Sequence, residues 1–60
     1  MGKFKIYIRE KELAKALGDI CLGEIIAETE EQAIQEAYRL GIRAPGEFCF
    51  ASLLAVLDRE

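Results

Sequence analysis

The sequence predicts an α+β domain with element order ββαβ. The expected sheet is three-stranded and antiparallel, in spatial order 2-1-3. One main helix packs on one face, and the first hairpin has room for a short helical turn. Three stretches carry this prediction. "KFKIYIRE" alternates apolar and polar residues. "TEEQAIQEAYRLGI" bears a helical apolar stripe between start and stop signals. "GEFCFASLLAVLDRE" holds a run, Phe48 to Leu57, in which only Ser52 is not apolar.

In the first strand Phe4, Ile6 and Ile8 point one way, while Lys3, Lys5, Tyr7 and Arg9 point the other. Period two with aromatic and β-branched residues marks a strand with one buried face. "EKELAKALG" follows, with Leu13, Ala14 and Leu17 at helical spacing and Gly18 placed to end a turn. The segment is too short for a crossover between parallel strands, so it reads as the partly helical tip of a wide hairpin. "ICLGEIIAE" is the second strand: Ile20, Leu22, Glu24 and Ile26 take one side, and Cys21, Gly23, Ile25 and Ala27 the other. Gly23 within it marks a bulge or a close backbone approach.

The main helix is the best specified element. Thr29 is its N-cap and Gln32 stands three residues on, the spacing of a capping box. Glu30 and Glu31 in the first turn and Arg39 in the last suit the helix dipole. Ala33, Ile34, Ala37 and Tyr38 form one stripe; Gly41 fits the left-handed position after the helix, with apolar Ile42 behind it. Pro45 and Gly46 make a turn. The closing run reads as a third strand, with Phe48, Phe50, Leu54 and Val56 on one face and Cys49, Ala51, Leu53 and Leu57 on the other. Its Phe-Cys-Phe-Ala start favours extended structure. A helix begun at Ser52 is the alternative, because its Leu and Ala content suits one.

A right-handed crossover carries the chain from strand two, over strand one, to strand three, so all neighbours are antiparallel. One helix then covers one sheet face. The third strand is apolar on both faces, so its second face needs cover. The 10–17 segment can cover part of it. A second copy, packed sheet on sheet or strand on strand about a two-fold axis, covers it more completely. Self-association into a homodimer or higher oligomer through Phe48, Phe50, Leu54 and Val56 is therefore expected.

The chain of 60 residues makes one small domain, residues 1–60. A chain this size buries only about 60% of its unfolded surface and often needs a disulfide, a metal or a partner. Its 52% apolar and 32% charged content is that of a globular chain. The net charge of −3 argues against a general nucleic-acid binder. No apolar stretch approaches the ~20 residues needed to span a membrane, and the basic start lacks the apolar segment of a signal peptide. "MGKFKI" has Ile6 where myristoylation prefers Ser or Thr. A cytoplasmic location is expected.

Cys21 and Cys49 stand in apolar runs of a chain without histidine, which predicts two buried, reduced thiols, with a disulfide as the alternative, and no metal site or cofactor. Burial would raise a thiol pKa and disfavour the nucleophile. Ser52 has no histidine to activate it, no carboxylate pair is singled out for acid–base work, and phosphate loops are absent. An enzyme is not expected.

Two charged groups merit a partner reading. Lys5, Tyr7 and Arg9, with Lys3, share one face of the first strand, and basic residues interleaved with an aromatic can hold single-stranded nucleic acid. The acidic balance and the single aromatic favour the other reading, pairing with Glu24 and Glu28 on a solvated sheet face, so nucleic acid is not the expected partner. Glu30, Glu31 and Glu36, beside Glu28, form an acidic face that could dock a basic partner or mimic nucleic-acid phosphates. Dipole complementation explains the same residues.

The phrase "IYIRE…GEIIAETEEQAIQEA" resembles the layout of the small accessory subunit of bacterial phenylacetyl-CoA epoxidase. Both show a strand, a second strand ending Ala-x-Thr and a helix opening Glu-x-Ala. The resemblance spans about two thirds of the chain. It rests on structural positions, Thr29 as cap and Ala33 as packing residue, so it implies the layout and no functional residue.

The sequence therefore points to a small non-enzymatic interaction module that self-associates and binds a protein partner. A small acidic phage or mobile-element inhibitor, blocking a host protein through Glu30, Glu31 and Glu36, is the alternative. A single-stranded nucleic-acid binder using the first-strand face is the third.

Overall fold

A computed structural model describes residues 2–58 and shows the expected α+β architecture. Strand β1 (Gly2–Ile8) leads into helix α1 (Lys11–Ala16), strand β2 (Gly23–Ala27), helix α2 (Glu30–Arg39) and strand β3 (Leu53–Leu57). A single 3-10 turn, Gly46–Phe48, lies between α2 and β3. The sheet order is β2-β1-β3. Phe4 stands opposite Ile25 on one side and Leu57 on the other, and both pairings are antiparallel.

The alternation in β1 sets which face is the core. Phe4, Ile6 and Ile8 are buried with Ile25, Ala27, Leu53 and Ala55. Helix α2 lays Ala33 and Ala37 on this face, with Ile34 packed at the margin. Small residues at the contact let the helix approach a sheet whose volume comes from isoleucine, leucine and phenylalanine. A second cluster, Ile8, Ala44 and Ala51, fills the end of the sheet under α1 and is completed by Leu13, Leu17 and Phe48.

The caps follow the sequence closely. The Thr29 hydroxyl accepts the Gln32 N–H at 3.1 Å. The Gln32 side chain reaches past the cap and accepts the Glu28 N–H at 3.1 Å, so the reciprocal bond lands one residue earlier than a capping box places it. After α2, Gly41 takes φ 81°, and Ile42 N–H bonds Ala37 C=O at 2.9 Å. This left-handed stop directs Ile42 over β2. A Cβ on Gly23 would lie 2.9 Å from Ile42 Cδ1, so the glycine lets the tip of that side chain rest directly on the strand. Replacing Thr29 by alanine is expected to cost about 1 kcal/mol and to lower the melting temperature by about 4–8 °C, measurable by thermal unfolding.

Three sequence expectations are corrected. The third strand begins at Leu53, not near Phe48. Strand β1 gives way at Arg9 to the turn before α1, and Arg9 N–H bonds Ser52 C=O at 2.9 Å, so residues before Ser52 have no strand to pair with. Phe48 N–H and Ala51 N–H instead close turns on Pro45 and Phe48 carbonyls. Phe48 packs in the second cluster, while Phe50 is 85% exposed. The second strand spans Gly23–Ala27 only, leaving Ile20 and Cys21 outside it. Both cysteines are exposed and unpaired, because each sits in a connection and not in a strand.

Candidate functional site

The sheet face away from α2 is bordered by α1 only at its Tyr7–Leu54 end. Along β1 it presents Lys3, Lys5 and Tyr7; β2 adds Glu24 and Ile26; β3 adds Leu54 and Val56. Ile26 is 61% exposed and Val56 44%. Lys3 and Glu24 approach to 3.5 Å as a half-exposed pair, which realises part of the expected cross-strand pairing. Such a pair contributes little stability in water. Of the four residues expected to self-associate, Leu54 and Val56 lie together on this face. Phe48 and Phe50 lie apart from it, near the sheet's end.

The two sheet edges differ. Arg9 N–H bonds Ser52 C=O, and Asp58 N–H bonds Lys3 C=O at 2.8 Å. Antiparallel alternation then directs the main chain of Ser52, Leu54, Val56 and Asp58 toward β1. Leu53, Ala55 and Leu57 turn their N–H and C=O groups to the free edge. One of these is capped: Leu53 N–H donates to the Tyr38 hydroxyl at 3.3 Å. The Arg43 guanidinium lies 4.7 Å from the Tyr38 ring centroid, a cation–π contact that holds the ring over the strand's start. Ala55 and Leu57 remain open.

The β2 edge is defended differently. The same alternation turns Glu24, Ile26 and Glu28 outward. Glu24 and Glu28 charge that edge, and the Glu28 N–H is already held by Gln32. Charged side chains on an edge strand discourage pairing with another chain. Strand β3, "LLAVL", has no charge, no proline and no glycine.

The acidic residues singled out from the sequence, Glu30, Glu31 and Glu36, lie on α2, away from the open sheet face. Arg39 donates to Glu36; this hydrogen bond, helped by the guanidinium charge, holds the Glu36 carboxyl below its ordinary range. The pair sits at the surface. Whatever it adds to stability is present above the ordinary carboxylate range and is lost as pH falls through the lowered value.

Of Lys5, Tyr7 and Arg9, the last two share a groove, and Lys5 lies outside its lining. Tyr7 and Arg9 line a groove between β1 and α1 with Ile8, Leu54, Lys11 and Lys15. The sequence reading missed Lys11 and Lys15 here; their i, i+4 spacing on a short helix was the available signal. It also missed Tyr38 as a strand cap, because a tyrosine in a packing stripe carries no mark of where its hydroxyl ends. Among the described residues, no cluster of three or more His, Cys, Asp or Glu side chains is placed to hold a metal ion. No helix of these residues is long and apolar enough to cross a membrane.

No protein-family model matches the chain, and neither a curated protein nor a solved structure matches it.

Proposed function

We propose that this chain is a small non-enzymatic interaction module that forms a homodimer by pairing β3 with its twin about a two-fold axis. The carrying observation is the uncharged β3 edge with open main-chain groups at Ala55 and Leu57, beside a defended β2 edge. Strand addition at such an edge satisfies those groups and extends the sheet.

The Tyr38 cap selects the register. A two-fold axis at Ala55 would demand the Leu53 N–H, which Tyr38 already holds. An axis at Val56 sets Ala55 opposite the partner's Leu57 and leaves the cap intact. The two Val56 side chains then meet on the open face in a non-hydrogen-bonded pair, where side chains lie closest. The dimer has one six-stranded sheet with both α2 helices on one side. Its protein partner binds the remaining surface, where Glu30, Glu31 and Glu36 on α2 offer a charged face to a basic protein.

Amide hydrogen exchange tests the pairing. As protein concentration rises, exchange at Ala55 and Leu57 should slow, while exchange at Glu24 and Ile26 on the other edge stays unchanged. Equal rates at Ala55 and Leu57 at every concentration would contradict it.

A further inference from the structure

We propose that the groove between β1 and α1, continued by the Lys5–Lys3 track, binds single-stranded nucleic acid. This goes beyond self-association and does not depend on it, because edge pairing at β3 leaves the β1 face open.

The first observation is segregation of charge. Residues 1–15 carry five cations and two carboxylates, in a chain whose net charge is −3. The structure separates those carboxylates from the cations. Glu10 and Glu12 line a groove on one side of α1, with Leu13, Ala16 and Phe50. Lys11 and Lys15 line the groove on the other side, with Arg9 and Tyr7. Asp19 is the single carboxylate lining that second groove. Among the described residues the salt bridges are Lys3–Glu24 and Arg39–Glu36, and neither engages Arg9, Lys11 or Lys15.

The second observation is the kind of wall those cations stand on. The groove encloses about 530 Å³ and combines the Tyr7 ring with apolar Ile8, Ala14 and Leu54. A bare anion needs no such wall. A nucleotide does: its base has a flat face for Tyr7, its phosphate suits Arg9, Lys11 and Lys15, and its hydroxyl or amino groups can donate to Asp19. Stacking on an aromatic beside a basic groove is the general means of holding single strands. The third observation is length. From Arg9 to Lys3 the strand runs about 20 Å at its usual rise, beyond the reach of one nucleotide. Lys5 and Lys3 follow the groove along the sheet face; Glu24 stands opposite Lys5 and pairs with Lys3 at 3.5 Å, so a chain of phosphates takes the place of that half-exposed pair.

The test is fluorescence anisotropy with a labelled homothymidine oligomer. Binding should be measurable at about 50 mM salt and fall steeply by about 200 mM. Tyr7→Ala should weaken it roughly tenfold, while Tyr7→Phe, which keeps the ring, should bind as the unmodified chain does. Exposed Lys11→Glu with Lys15→Glu should abolish it, with circular dichroism confirming that the fold is kept. No binding at low salt overturns the proposal. So does equal binding of inorganic polyphosphate, or a Tyr7→Ala variant that binds normally, since either means a general anion surface. A free mononucleotide binding as tightly as the oligomer would overturn the track along β1.

Discussion

Leu53→Ala is expected to leave much of the protein unfolded at room temperature. Leu53 is 1% exposed and, with Ile6, one of the two largest fully buried side chains. It joins the sheet to α2 through the main core cluster. Removing a buried leucine to alanine costs about 2–5 kcal/mol, because the transfer energy is lost and a cavity remains. A domain of this size holds only about 3–9 kcal/mol in all. One residue along, Leu54 faces the other side of the sheet and is half-buried. Leu54→Ala should cost less than about 1 kcal/mol. Urea unfolding of both variants measures the difference. Similar losses at 53 and 54 would contradict the assigned facing of β3.

Val56→Lys is expected to abolish self-association and keep the fold. Val56 is 44% exposed on the open face, so a lysine there has water to reach and little packing to lose. In the proposed register two such lysines meet across the axis, where like charges repel. Edge lysines are also a common natural defence against pairing. Val56→Thr keeps the β-branch without the charge and should retain the dimer. Circular dichroism and sizing of the two variants separate loss of fold from loss of association. A Val56→Lys chain that still dimerises would place the contact elsewhere.

Much of this fold is legible in the sequence, for identifiable reasons. The period of β1 names its buried face outright, since Phe4, Ile6 and Ile8 have no apolar rivals on the other side except Tyr7. Helix α2 is bounded by local chemistry, Thr29 at its start and Gly41 at its end, and neither depends on distant residues. Strand β2 was harder, because both of its faces carry isoleucine; β1 decides that Ile25 faces inward and leaves Ile26 in water. The length of β3 could not be read locally. Phe48, Cys49 and Phe50 have strand-like character, but β1 has already turned away at Arg9, and a strand without a neighbour does not form. The same long-range fact exposes Cys49.

The candidate site was legible only in part. Leu54 and Val56 were recognised as needing cover, yet the sequence grouped them with Phe48 and Phe50, which the turn before β3 carries elsewhere. The edge itself depends on which main-chain groups face outward, and that is set by register. The Tyr38 hydroxyl on Leu53 N–H is a contact between residues 15 apart, invisible to any local pattern. The basic groove depends likewise on the direction α1 takes after Arg9.

The proposed dimer is held together at the β3 edge. Light scattering behind a sizing column, over a hundredfold range of concentration and with a reductant present to keep Cys21 and Cys49 from cross-linking, tests it most directly. The mass should rise with concentration from one chain to two and stop there, because β3–β3 pairing about a two-fold axis closes. A mass of one chain throughout, or one that grows without limit, would contradict it.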